Sequence, residues 1–391
     1  MQALPQAGSS GWETSPHEKR FLGDLPAEGR PPAERFKNPP PSSRILWMWN
    51  NPPDDPAVQD EFIARMAKQG FGGFGGNVRF TGYLEDESAW PPFLRALKRV
   101  KDLGMTCWLY DECGYPSGSA KDLVLRGHPE WAARNLAVFV ANVTGGAVIE
   151  MAAPPGLFAA AYATPCVNGQ ADWTRAVAIN TAVTDNQLCW NAPVGTWRIM
   201  LACECFPTRG TLIPSAEGTP LGKPYANLLM AEPTKRFLEV THAAYAQRLG
   251  PAFATCFAST FTDEPMLTDF WASPRETVLL PWAPGIAEVF KQRTGRDLMP
   301  LLPLIADGAA AGEAADYARF QFRDMDADLI GKNYFGQIRD WCGEHGIASG
   351  GHLLWEEDFP LSVAFYGDFF RCLRELSAPS ADCLTSLPPQ T

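Results

Sequence analysis

Three apolar runs in this chain each end in acids. Cys107-Trp108-Leu109-Tyr110 leads into Asp111-Glu112, Phe257-Ala258-Ser259-Thr260-Phe261-Thr262 into Asp263-Glu264, and His352-Leu353-Leu354-Trp355 into Glu356-Glu357-Asp358. Short hydrophobic runs of this kind read as buried parallel strands, and the ends of such strands are where barrel enzymes keep their reacting groups. Ionised carboxylates are almost never buried unpaired, so core packing does not account for them. A single cluster reads as a solvated loop; three in one structural context read as a cleft lined with acids and aromatics, as carbohydrate cleavage requires. Breaking a glycosidic bond takes one acid to protonate the leaving oxygen and a second carboxylate to activate water or attack the sugar carbon. Glu264 on one strand end and Glu356 or Glu357 on the next are the candidate pair. Adjacent strands lie ~4.8 Å apart, and side-chain reach allows either the retaining or the inverting separation.

Between Tyr110 and Gly118 the chain is dense in hydrogen-bonding groups and turn formers. As structure, this is a turn in which Asp111 and Ser117 cap backbone amides; as a site, it is a substrate loop whose acids hold sugar hydroxyls or a cation. His352 is either a satisfied histidine near a strand end or a partner for substrate or a neighbouring acid. Gly70-Phe71-Gly72-Gly73-Phe74-Gly75 matches GxGxxG in form, but a helical pattern precedes it and none follows. It therefore reads as a glycine-rich strand where neighbouring chains approach closely, not as a dinucleotide site.

The elements that must position these groups follow a repeated pattern of helix, glycine and strand. A Pro-, Gly- and Ser-rich arm occupies residues 1–43, and Ile45–Trp49 reads as the first strand. Asp55-Pro56 supplies an N-cap and a proline at the first helical position, with Val58, Phe62, Ile63 and Met66 on one face and Gly70 as the stop. A second strand lies within Phe71–Phe80. A helix through Phe93, Leu94, Leu97 and Val100 stops at Gly104 before Met105–Tyr110. Another, capped by Thr234, runs to Gly250 and Ala252–Phe261; a fourth runs through Leu329, Tyr334, Ile338 and Trp341 to Gly346 and Ile347–Leu354. Such units predict an α/β fold with a parallel sheet, either doubly wound or a (β/α)8 barrel. Residues 135–223 break the pattern with alternating, turn-rich sequence, which reads as an inserted β-rich domain between a first βα part (44–134) and a second (224–391).

Composition excludes several classes. The 391 residues carry a formal charge of −11 with no basic stripe, which argues against nucleic acid and anionic membrane as partners. The ten cysteines and five histidines show neither a disulfide framework nor zinc spacing. Met1 to Arg20 has no apolar core of a signal peptide, which leaves the cytoplasm as the default location and secretion open if the N-terminus is incomplete.

Taken together, Phe36-Lys37-Asn38-Pro39-Pro40, Trp47-Met48-Trp49-Asn50, Leu109 to Glu112 with Pro116-Ser117-Gly118, Phe261 to Pro265, Gly351 to Leu354 with Glu356-Glu357, Gly367-Asp368 and Asp382 to Ser386 resemble the α-L-rhamnosidase group, glycoside hydrolase family 106. The resemblance runs in order over about residues 36–387. It implies a (β/α)8 barrel, an inverting mechanism with two glutamates and a calcium ion at the sugar site. By position, Glu264 and Glu356 fall where the family keeps its catalytic acids, their individual roles undecided. Trp49, Tyr110, Asp111, Glu112, Tyr115, Asp263, His352 and Glu357 are the expected substrate-binding residues, and the expected partner is an oligo- or polysaccharide. The chain departs from the pattern at Asn227, at the glycines 72–76 and at Ser380-Ala381. The sequence shows about six strands where a barrel has eight. The expectation is therefore an incomplete barrel, either the front part of a longer hydrolase or a sheet closed by something outside the chain, hydrolysing aryl α-L-rhamnosides feebly or not at all by itself; the alternative is a carbohydrate-binding pseudoenzyme or inactive fragment.

Overall fold

The computed structural model describes residues 32–206, 224–268, 277–310, 312–356 and 358–382. Chain order begins with β1 (Leu46–Met48), β2 (Gly73–Gly76) and β3 (Thr106–Tyr110). Asp55 opens the helix Pro56–Lys68, its carboxylate accepting from the amides of Ala57 (2.7 Å) and Val58 (3.4 Å). Trp90, Phe93, Ala96, Leu97 and Val100 form the buried stripe of the helix Trp90–Asp102, spaced three or four residues apart as one helical face demands. Burying side chains such as Phe74 and Phe93 completely contributes roughly 1.5–3 kcal/mol each. Val58, expected on the inner face, is 49% exposed.

The middle of the chain forms β4 (Arg134–Thr144), β5 (Val148–Ala152), β6 (Leu157–Val167), β7 (Gln170–Ala171), β8 (Val177–Ala178), β9 (Val183–Thr184), β10 (Gln187–Asn191) and β11 (Thr196–Cys205). They pair antiparallel, β11 lying between β4 and β6 and β10 between β5 and β9. A separate small core of Ala161, Ala163, Ile179, Leu188, Ile199 and Leu201 sits here. The chain then returns through β12 (Phe257–Asp263), β13 (Thr277–Trp282), β14 (Gly350–His352) and β15 (Ala378–Pro379).

β1-β2-β3-β12-β14-β15 make one six-stranded sheet in which every pairing is parallel. Glycine sets its spacing. A Cβ on Gly73 would lie 1.7 Å from the Thr106 carbonyl oxygen, and one on Gly351 would lie 2.3 Å from that of Thr262. Both residues also have positive φ, where a side chain is strained. The glycine run is thus a close-approach strand, and no helix follows it directly.

Several sequence expectations need correction. The second βα part, 224–391, also reaches into the β-rich region, where β13 pairs antiparallel with β4 over six residue pairs. Thr234 is not a cap: it is buried inside the helix Ala231–Val240, whose N-cap position is Met230. Thr241 breaks that helix from His242–Leu249. The expected strand Ala252–Phe261 begins only at Phe257, because Phe253–Cys256 is a helical turn. The last long helix runs Glu313–Ile330, loosens into a π-helical turn at Gly331–Gly336 and resumes over Gln337–Glu344. Glycines at both ends of that turn lower its helix propensity, and its Tyr334 hydroxyl lies 2.6 Å from Thr262 Oγ1 on β12.

Candidate active site

Register brings the candidate groups together. Asp263 is paired with His352 across β12 and β14, and Phe261 with Tyr110 across β12 and β3. Asp263 lies two residues beyond Phe261 and shares its face, as the strand period requires. The Tyr110 hydroxyl therefore donates to Asp263 Oδ2 at 2.7 Å, while His352 Nε2 lies 2.9 Å from Asp263 Oδ1. On its other side, His352 Nδ1 lies 3.0 Å from Glu356 Oε1, which also accepts from the Asp382 amide. The Phe261 ring lies alongside the imidazole, 5.6 Å between centroids.

Glu264 follows β12 directly. Its φ of 45° is left-handed, a strained position for a non-glycine residue, and such strain concentrates at functional sites. Burial, then the neighbouring Asp263, pushes its carboxyl up to about 7, with Glu356 and Asp382 adding and His352 opposing. Glu356 moves the other way. Burial works against ionisation, but the His352 hydrogen bond and the Asp382 amide hold it below the ordinary carboxylate range. For His352, burial favours the neutral ring, yet the bonds to Asp263 and Glu356 prevail and raise it to about 10. Tyr115 lies half-buried near Glu264, and burial together with Glu264 and Asp263 raises its phenol.

The loop after β3 supports this arrangement from beneath. Asp111 is fully buried; its Oδ1 accepts from the Ser117 hydroxyl at 2.7 Å, and the same hydroxyl accepts from the Asp263 amide at 2.8 Å. Glu112 does not line the site. It is 1% exposed, and its carboxylate accepts from the amides of Cys113, Gly118, Ser119, Ala120 and Lys121 at 2.6–3.2 Å. It closes the turn and holds Ala120 and Lys121 at positive φ.

Tyr110, Asp263, Glu264, His352 and Glu356 are thus brought into one cluster, with Tyr115 beside it and Asp111 below. Trp49 is placed elsewhere: it is 7% exposed, stacked on Phe62 at 4.9 Å and edge-on to Phe74, a core ring and not a sugar platform. Glu357 lies outside the described residues. Sequence reasoning missed Tyr225, whose hydroxyl donates to the Ser117 carbonyl and accepts from the Met266 amide at 3.3 Å. It also missed the Asp382 amide, because a backbone donor leaves no side-chain signature. Asn227 is structural, its amide donating to the Trp282 carbonyl at 2.9 Å.

Among the described residues, one group of possible metal ligands gathers: Asp263, Glu264 and His352, with ligand atoms within 4.8 Å of one another. This set does not fit Ca²⁺. Calcium takes six to eight oxygen ligands, whereas this set contributes an imidazole whose two nitrogens are both engaged by carboxylates. No step below is routed through calcium.

Two acids near the ends of adjacent parallel strands, one raised by burial and one lowered by its hydrogen bonds, have the arrangement that acid–base chemistry uses. The family model for α-L-rhamnosidases, glycoside hydrolase family 106, matches residues 166–385, and the chain belongs to that family. The chain is similar in fold to the rhamnosidase from Novosphingobium sp. PP1Y, with a TM-score of 0.53 and 14% identity, over 88% of this chain and 48% of that one. It is 28% identical over 92 residues to a Formosa agariphila protein described as "Putative beta-glucuronidase", over 23% of this chain and 8% of that protein. The chain spans less than half the length of the rhamnosidase it matches.

Proposed function

We propose that this protein hydrolyses α-L-rhamnosyl or closely similar glycosidic bonds by an inverting mechanism, with Glu264 as general acid and Glu356 as general base. The observation that carries this reading is the opposite displacement of the two carboxyls within one cluster: Glu264 up to about 7, Glu356 below its ordinary range. Two carboxyls whose surroundings push them apart divide the acid and base roles between them. Near neutral pH, Glu264 retains a proton for the leaving oxygen, and Glu356 is ionised to take one from water. Single displacement by that water inverts the anomeric centre, and no covalent sugar–enzyme bond forms. Tyr110 fixes Asp263, and Tyr115 stands beside the acid. The six parallel strands, ordered along the sheet as along the chain, are read as consecutive strands of a (β/α)8 barrel whose reacting groups occupy the C-terminal strand ends.

The test is hydrolysis of aryl and alkyl α-L-rhamnosides, with the first-released anomer observed by proton NMR. The expected product is β-L-rhamnose. Glu356→Gln should reduce turnover of both substrates by about 10²–10⁴-fold. Glu264→Gln should do so for the alkyl glycoside and much less for a nitrophenyl glycoside, whose leaving group needs little protonation. Release of the α anomer first would overturn the inverting reading, and full activity in both variants would overturn the assignment of the site.

A further inference from the structure

A cavity of about 720 Å³ lies among the helices Ile286–Thr294, Glu313–Ile330 and Gln337–Glu344 and the π-helical turn Gly331–Gly336. None of its lining residues belongs to the acid cluster, and its size is that of a small-molecule site. Five basic and three acidic side chains line it, in a chain whose formal charge is −11. Three of the five cations are already paired. Arg293 and Arg371 both hold Asp324 and Asp328, Arg371 at 2.8 and 2.7 Å, and Arg339 holds Asp340 at 2.8 Å and also Glu375. Lys332 and Arg374 are exposed and have no ion-pair partner among the described residues. Space is left where a side chain would fit. Gly331 has ordinary helical angles, φ −55° and ψ −49°, which any residue adopts, and glycine weakens a helix at such a place. A Cβ on it would meet only the Glu375 Cγ, at 3.9 Å. Backbone conformation therefore does not call for glycine here; its missing side chain leaves room in the cavity, on the kind of π-helical turn that often marks a functional site.

The lining selects a ligand by its chemistry. An unpaired ammonium and an unpaired guanidinium take an anion, the guanidinium with two N–H donors side by side on a carboxylate or phosphate. Asp328, Asp340 and Glu375 on the same lining repel a bare polyanion but accept hydrogen bonds from hydroxyl groups. Met325 and Leu329 offer apolar contact to a carbon skeleton. An acid group, hydroxyls and a C–H face occur together in an anionic sugar. We propose that this cavity is a second ligand site, taking a sugar that carries a carboxylate or a phosphate, with its acid group on Lys332 and Arg374 and its hydroxyls on the lining carboxylates. The site does not depend on the acid and base assignment above.

The test is calorimetric titration of the full chain with D-galacturonate, D-glucose 6-phosphate, D-glucose and inorganic phosphate. At least one anionic sugar should bind, and D-glucose should not. Lys332→Ala and Arg374→Ala should each weaken that binding about tenfold or more. Gly331→Leu, which fills the cavity, should abolish it, and Glu264→Gln should leave it unchanged. Urea unfolding checks that each variant is folded; Lys332 is exposed, so Lys332→Ala keeps the test decisive if Gly331→Leu does not fold. Binding of neither anionic sugar, equal binding of D-glucose, or binding untouched by Lys332→Ala and Arg374→Ala or by a folded Gly331→Leu overturns the proposal. Inorganic phosphate binding as tightly as the sugar phosphate identifies an adventitious ion only, and overturns it as well. Preference for galacturonate or for glucose 6-phosphate supports the site either way and tells a carboxylate ligand from a phosphate one.

Discussion

Glu112 and Glu264 each follow an apolar strand and an aspartate, and burial pushes both up to about 7, yet their surroundings differ. Glu112 is enclosed by five backbone amides and is 1% exposed. Glu264 is half-buried and faces other acids across a histidine. A carboxylate that satisfies backbone donors is committed to the fold; one left among competing acids is free to exchange a proton. What separates them is the number of fixed N–H donors aimed at the carboxylate, and a sequence does not display that number.

The largest effect expected from this contrast lies at Glu112. Glu112→Ala leaves five amides, four of them buried, without an acceptor and should lower stability by about 3–5 kcal/mol, comparable to breaking a buried charge pair, as read by urea unfolding. Glu264→Gln should stay within about 1 kcal/mol of the parent, because among the described residues no such donor set depends on it. A folded, fully stable Glu112→Ala would remove the distinction between the two acids.

Asp326 sharpens the comparison as a buried acid without a cage. It is 0% exposed, its Oδ2 is 3.2 Å from Arg323, and Oδ1 has no partner among the described residues. Burial pushes it up to about 7 against the coulombic pull of Arg323. The folded state therefore binds this proton more tightly than the unfolded chain. The contribution is fully present below the unfolded value of 3.8 and is lost as pH rises through 7. Asp326→Asn should be more stable than the parent by about 1–3 kcal/mol at pH 8, with the gap closing toward pH 4. Parallel stability–pH curves for the two proteins would contradict this. The smallest effect belongs to Asp55, an exposed carboxylate with two amide donors. Asp55→Ala should cost about 1 kcal/mol in thermal or urea unfolding, the usual worth of an N-cap.

The alternation of helix, glycine and strand was legible because each signal is local: Asp55-Pro56 starts a helix, and Gly104 or Gly346 follows its end. The cluster of Asp263, Glu264, His352 and Glu356 was legible for the same reason, since strand ends of a parallel sheet share one edge. Thr234 misled because a threonine before an apolar stripe looks the same as a cap or as an interior residue, and Pro233, tolerated in a helix's first turn, already lies inside the helix. Trp49 misled because an aromatic at a strand end suits either a core or a sugar face. The pairing of β13 with β4 spans more than a hundred residues of sequence and leaves no local trace.

That pairing bears on how the molecule could be recombined. The antiparallel region enters and leaves the chain between β3 and β12, as a cassette would, but it cannot be lifted out as one. Removing it would strip β13 of its hydrogen-bonded neighbour. It would leave Asp307 without Arg198, at 2.5 and 2.7 Å, and without the Trp173 indole at 2.6 Å. It would also release the Leu267 carbonyl, three residues past Glu264, from the Asn135 amide at 3.0 Å. A graft from a relative at this point would have to carry its own version of β13 and of the Leu267 tether, or the segment leading away from the acid would lose its anchor.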